Sequence, residues 1–283
     1  MKEKPLNLTE DDNEYRWQGG VFPPVDKKVA NTGEGVRKNK AVWVCTTRHG
    51  GCSEGVYDSL NVGVRVGDQR SKVVDNRHRI RQVLKLNRLL FVHQTHGTTI
   101  LTIRNLQGES PGEDIDPGDG CDGMITALAH VGLAIQTADC QAVLLHDPVH
   151  AVVAAAHCGW RGSVRGILPA IVARMVQDFD SNPDDIHAVI SPALGVCCAE
   201  FINYREELPE SFLPFRFGEN SFDFPAISTM QLTEAGLQKE NIRSLNICTS
   251  CDENYFSWRR TVRECGKTTG RNCSVIFLDG DGR

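Results

Sequence analysis

A chain of 283 residues, 40% hydrophobic and 24% charged, carries enough apolar material for one large globular domain or two small ones. Its formal net charge of −5 provides no global attraction to nucleic acid or an anionic membrane, so small molecules are the expected partners, and neither nucleic acid nor membrane is expected among them. No apolar run approaches the ~20 residues that span a bilayer, and the N-terminal MKEKPLNLTEDDNEYRW lacks the apolar core of a secretory signal, so a cytoplasmic location is expected.

Residues 1–40 are polar, rich in Gly, Pro and charge, and read as an N-terminal extension ahead of a catalytic domain over 41–283. AVWVCTT (41–47) reads as a strand and RHGGCSEGVYDSLNVGVRVGD (48–68) as a glycine-rich loop. Ser71 to Leu86 reads as a helix capped by Ser71, with Val73, Val74, Ile80, Val83 and Leu84 as its buried stripe. LLFVHQTHG (89–97) is a strand delivering His93 and His96 to its end, TTILTI (98–103) is another, and 107–121 is a loop. GWRGS then leads into a helix whose apolar face runs from Ile167 to Phe179, its regular part delayed by Pro169. HAVIS (187–191), SLNIC (244–248) and SVIFL (274–278) are strand candidates, and STMQLTEAGLQK (228–239) a helix. Mixed strands and helices without an internal repeat give an α+β fold, with mixed sheets, a central β-hairpin and flanking helices in a single domain.

The hairpin lies in TADCQAVLLHDPVHAVVAAAHCGW (137–160), where two short apolar runs flank an Asp-Pro turn opener. Both runs are apolar on both faces, as in a sheet covered on both sides. A two-residue turn at Pro148 and Val149 makes facing residue numbers sum to 297, which sets Cys140 directly opposite His157. Facing residues share one side of the sheet with Cβ atoms about 4.5 to 5.5 Å apart, a spacing that suits two side chains that converge on one metal ion or share one proton. A catalytic zinc takes three protein ligands and keeps a fourth position open. His93 and His96 would point to opposite faces of a strand, so one of them should complete the site, and Gly97 beside His96 allows the backbone to bend inward there.

AHCGWRGS adds loop N–H groups and a helix start with Arg161 beside them, a setting that holds anions. Arg48, Arg77 and the pair Arg259 and Arg260 are further anion candidates, and Trp160 is placed to stack on a planar base. Eleven cysteines in a chain this large indicate free thiols in a reducing compartment. Cys197-Cys198 and the Cys248-x-x-Cys251 spacing argue little for a second zinc site, because adjacent cysteines do not easily serve one tetrahedral ion.

Taken together, TTRHGG (46–51), SLNVG (59–63), NR (76–77), HQTHG (93–97), DGMIT (122–126), TADC (137–140), AAHCGWRG (155–162), ALGVCCAEF (193–201), YFSWRR (255–260) and TTGR (268–271) resemble the YfiH-like, laccase-domain proteins. That family was once labelled multicopper polyphenol oxidase and is now regarded as purine nucleoside phosphorylase with adenosine deaminase activity. The resemblance implies a cysteine-hydrolase-like α+β fold and a zinc triad of His96, Cys140 and His157, which are both metal ligands and catalytic residues. It implies phosphorolysis of adenosine, inosine, guanosine and methylthioadenosine, and hydrolytic deamination of adenosine by water activated for attack on C6. Arg48, Arg77 and Arg161 are the residues assigned to phosphate and substrate, purine nucleosides and inorganic phosphate are the partners, and monomer and homodimer both stay open. Zinc is the expected cofactor, with copper as the alternative metal. A metal-free thiol hydrolase with Cys140 as nucleophile and His157 as base is the rival reading. A copper-dependent polyphenol oxidase fits less well, since the chain has neither a His-x-His nor a His-Cys-His element.

Overall fold

The structure is a computed structural model that describes residues 17–22, 40–106 and 120–280. The readings of residues 1–16, 23–39 and 107–119 therefore lie outside the described residues. Two sheets stack with helices on their outer faces. In the first sheet, β1 (Gln18–Val21), β2 (Lys40–Cys45), β13 (Asn272–Asp279), β6 (Val131–Thr137) and β3 (Arg88–Phe91) lie side by side in that order. The second sheet runs β12 (Ile242–Ser244), β9 (His187–Ile190), β7 (Gln141–Asp147), β8 (Val152–Cys158), β5 (Gly123–Thr126) and β4 (Ile100–Ile103). Strand β1 comes from the stretch ahead of residue 41 and pairs antiparallel with β2, Gln18 opposite Cys45.

Strand alternation explains the layering. In β2, Trp43 and Cys45 enter the core between the sheets, while Val42 and Val44 face outward. In β7, Ala142 and Leu144 point into the same inner core, and Val143 and Leu145 point out. The outward rows are covered in turn. Helix α1 (Arg70–Val83) lays Ile80 against the first sheet, and α3 (Ile167–Phe179) lays Ile171, Val172 and Met175 against the second. Burial of each such side chain contributes about 1.5 to 3 kcal/mol.

Several boundaries differ from the sequence reading for identifiable reasons. Helix α1 starts at Arg70, with Gln69 at its cap and no side-chain cap bond, so Ser71 does not cap it. Val74 is 47% exposed, and the helix buries Asn76 and Arg77 instead. Asn76 donates to Ser53 Oγ at 2.9 Å and to the carbonyl of Asn61 at 2.9 Å, so this face clamps the glycine-rich loop rather than filling an apolar core. After the hairpin, α2 (Trp160–Arg165) is separated from α3 by Gly166 at φ 79°, and Pro169 falls in the first turn of α3. The segments after β9 supply α4 (Tyr204–Glu207), a ribbon of β10 (Arg216–Phe217) with β11 (Ser221–Phe222), and α5 (Phe224–Glu234). Helix α5 begins four residues before the expected Ser228, because Asp223 accepts from Ala226 N at 3.0 Å and Pro225 fits the first turn. Helix α6 (Trp258–Arg263) follows, capped by Ser257. No described helix is long and apolar enough to cross a membrane.

The hairpin exists, with a different register. Strand β7 pairs with β8 so that Asp147 faces Val152 and Ala142 faces His157, and facing numbers sum to 299. The turn is two residues longer because Asp147 Oδ1 accepts from Val149 N at 2.8 Å and His150 N at 3.1 Å, while Ala151 takes φ 54°. A shift of two residues preserves the face. His157 therefore continues the inward row of Val153 and Ala155, but its direct partner is Ala142, not Cys140.

Candidate active site

His96, Cys140 and His157 converge at one end of the stacked sheets, their ligand atoms all within 4.8 Å of one another. Each reaches the site from a different element. Cys140 sits in the short connection that carries the chain from β6 in one sheet to β7 in the other, just after Asp139 at φ 86°. His157 is near the end of β8, and His96 lies in the loop after β3. Cys140 Sγ is 3.9 Å from His96 Nε2, and the two imidazoles meet edge-on with centroids 4.7 Å apart. The approach is close enough that any side chain at position 159 would displace one of them: a Cβ there would lie 2.8 Å from Cys140 Sγ and 2.9 Å from His96 Cδ2.

His96 itself takes the left-handed conformation, φ 60°, so the bend into the site occurs at the histidine rather than at Gly97. The buried carboxylate of Asp122 holds this loop. It accepts from Thr95 N at 3.1 Å, His96 N at 2.9 Å and Gly97 N at 2.7 Å. The same carboxylate takes His157 Nδ1 at 2.8 Å, which leaves Nε2 facing Cys140. His93 lines the neighbouring cleft but is not in the cluster.

The electrostatics follow from these contacts. Burial opposes ionisation of Asp122, but its bonds from His157, Gly97 and Thr95 outweigh that and hold the carboxyl below the usual range. Burial likewise works against the Cys140 thiolate, yet His157 and His96 bring the thiol down to about 6. For His157, burial lowers the pKa, while Asp122 and Cys140 more than reverse it and raise it to about 9. Without metal, the two shifts both favour a thiolate at Cys140 beside an imidazolium at His157. One sulfur and two imidazole nitrogens, one of them fixed in tautomer by Asp122, also form a donor set that suits zinc.

The cluster opens onto a cleft of about 610 Å³. Arg65, Arg77, Arg161, Arg259 and Arg271 line it, a local excess of positive charge on a chain of net charge −5. Arg161 lies over the Trp160 ring at 4.2 Å, and Trp160 meets Phe201 edge-on at 6.1 Å. Arg77 is buried, donates to the carbonyl of Val62 at 2.9 Å and lies 3.8 Å over Phe91. Arg48 does not line the cleft: its Nε donates to the carbonyl of Asp58 at 2.6 Å and it lies over Phe256. Arg260 donates to the carbonyls of Thr249, Ser250, Asp252 and Tyr255, and so ties a loop together. Asp122, Arg65 and Arg271 escaped the sequence reading; the only local signal for Asp122 was its place in the DGMIT motif.

The profile of the family described as multi-copper polyphenol oxidoreductase laccase matches residues 42–279. The chain belongs to this laccase-domain family. It is similar to the purine nucleoside phosphorylase YlmD of Geobacillus stearothermophilus, with 36% identity over 248 residues that cover 83% of this chain and 89% of that protein. The crystal structure of YlmD from Geobacillus stearothermophilus matches with a TM-score of 0.72 at 32% identity, over 87% of this chain and 98% of that one. The crystal structure of the Bacillus licheniformis hypothetical protein YfiH also gives 0.72, at 31% identity over 84% and 93%. The laccase-domain assignment and the mixed α+β fold thus agree with the sequence reading, and the relative's name is that of an enzyme.

Proposed function

We propose that this chain is a zinc-dependent purine nucleoside phosphorylase that accepts adenosine, inosine, guanosine and methylthioadenosine and also deaminates adenosine. The observation that carries the reading is the convergence of His96, Cys140 and His157 on a cleft lined by five arginines and by Trp160 and Trp258. His96, Cys140 and His157 would hold the ion, which supplies a Lewis acid beside the substrate. Asp122 keeps His157 Nε2 directed at the site by accepting from Nδ1. Arg161 and its neighbours would neutralise inorganic phosphate and orient one oxygen toward C1′. As that oxygen bonds to C1′, the glycosidic bond breaks, and the purine leaves with the electron pair. The aromatic wall of Trp160 and Phe201 would hold the flat base and exclude water.

A second reading draws on one observation, the thiolate–imidazolium pair backed by Asp122, which has the layout of a Cys-His-Asp thiol hydrolase. Product analysis separates the two. Zinc-loaded protein incubated with adenosine and phosphate should give adenine and ribose 1-phosphate, and without phosphate it should give inosine; both should be lost in Cys140→Ala. Activity that survives a chelator but not Cys140→Ala would favour the hydrolase.

A further inference from the structure

Cys197, Cys198, Cys248 and Cys251 lie on two separate loops, yet their four sulfurs come within 4.8 Å of one another. Cys251 Sγ is 3.5 Å from Cys197 Sγ and 3.5 Å from Cys198 Sγ. Four thiolates around a tetrahedral zinc at about 2.3 Å have sulfurs about 3.8 Å apart, so a spacing of 3.5 Å for two pairs and at most 4.8 Å for any pair is close to that of a coordination shell. A disulfide requires about 2.05 Å, and all four cysteines are free. Packing does not explain the cluster either. Buried thiols behave as small hydrophobes, but Cys197 and Cys251 are exposed.

The backbone is arranged for the same purpose. Ala193 and Cys248 form an isolated parallel bridge, with Thr249 N donating to the carbonyl of Ala193 at 2.9 Å. The turn at 195–198, closed by Cys198 N to the carbonyl of Gly195 at 2.9 Å, lets the adjacent cysteines both reach Cys251. Cys251 N donates to the carbonyl of Cys248 at 3.2 Å, which folds the Cys248-x-x-Cys251 turn so that both sulfurs face the same loop. A Cβ at position 195 would sit 3.0 Å from Cys248 Cβ and 3.4 Å from Cys197 Sγ, so glycine permits the approach.

We propose that these four cysteines form a second metal site, a tetrathiolate zinc centre that fastens the two loops beside the cleft. Its role is positional. Leu194 N donates to the carbonyl of Asp139 at 2.9 Å and Thr249 Oγ1 donates to its carboxylate at 2.8 Å, so both loops grip the residue before Cys140. On binding, the four thiols release their protons and no oxidant is needed.

The test uses the full chain, purified anaerobically, in which His96→Ala, Cys140→Ala and His157→Ala remove the first site. Elemental analysis should find one zinc per chain, lost on adding Cys198→Ser and Cys251→Ser. Cobalt substituted into the same protein should show intense sulfur-to-metal charge-transfer absorption. Should the triple variant fail to fold, the comparison is made on the wild-type chain, where Cys198→Ser should lower zinc content by one equivalent. A metal-free cluster, iron in place of zinc, or thiols lost in pairs as disulfides would each overturn the proposal.

Discussion

Asp122 accepts His157 Nδ1 at 2.8 Å with the same carboxylate that accepts Gly97 N at 2.7 Å. One buried anion therefore sets the tautomer of His157 and the conformation of the loop that carries His96. Asp122→Asn must present an NH2 group to one of these donors, which leaves a donor facing a donor. Zinc affinity should fall by about 10- to 100-fold, as for other outer-shell partners of metal-bound histidine. Stability should drop by about 1–3 kcal/mol through the unsatisfied group. Metal titration and urea unfolding read the two effects separately. Unchanged affinity would mean that His157 is oriented by something other than Asp122.

Gly159 lies one residue beyond the last hairpin pair, Gln141 with Cys158, and its missing side chain is what lets Cys140 and His96 approach the same spot. Gly159→Ala would force a methyl group to within 2.8 Å of Cys140 Sγ and 2.9 Å of His96 Cδ2. Something must move, and the half-buried ligands are freer than the β8 backbone. The expected result is a folded protein with near-native circular dichroism that no longer retains zinc at this site through gel filtration. Retention of that ion at wild-type affinity would show that the loop carrying His96 yields without cost.

Much of this arrangement was legible in local sequence, and the failures have separate causes. Apolar residues on both faces of β7 and β8 announced a sheet covered on both sides, and parity alone kept His157 in the inward row of β8 despite the register error, while Cys140 meets it from the connection just ahead of β7. The error arose because Asp147 lengthens the turn through its own side chain, a preference that competes with the two-residue turn suggested by Pro148. Long-range contacts were harder. Asp122 acts across 35 residues to His157, which no local spacing reveals, and the four-cysteine cluster joins two loops 54 residues apart at Cys197 and Cys251, so the Cys-Cys and Cys-x-x-Cys spacings each showed only half of it and argued little for a site. Arginines were the least legible, since whether Arg48 or Arg65 meets the cleft depends on loop paths that leave no periodic trace.

Arg161 lines the cleft from the start of α2, whereas Arg48 spends its guanidinium on the carbonyl of Asp58 and the face of Phe256. If phosphate binds among the cleft arginines, Arg161→Ala removes a charged hydrogen bond of about 1.5–3 kcal/mol. That corresponds to a rise of about tenfold to a hundredfold in phosphate KM. Arg48→Ala should leave phosphate KM unchanged and appear only as a lowered unfolding midpoint. Steady-state kinetics with phosphate varied at saturating nucleoside make the comparison, and equal effects of the two substitutions would place the anion elsewhere.

The charge state of Cys140 can be read directly in protein stripped of metal. Its thiol titrates near 6 because His157 and His96 outweigh the burial that opposes ionisation, whereas burial pushes Cys45 up to about 12 and Cys158 up to about 11. A depressed thiol pKa means that the thiolate predominates at neutral pH and is lost as pH falls through about 6. Alkylation of Cys140 by iodoacetamide, followed by peptide mass spectrometry, should therefore rise across that pH and be level by pH ~8, the ordinary cysteine range. Cys45 and Cys158 should stay unmodified throughout. Restoring zinc should protect Cys140 at neutral and higher pH, where its ligands are deprotonated, because the sulfur that attacks the reagent is the sulfur that binds the ion. A midpoint near the ordinary ~8.5 would mean that the imidazoles do not stabilise the thiolate, and a thiolate that stays reactive with zinc present would remove Cys140 from the ligand set.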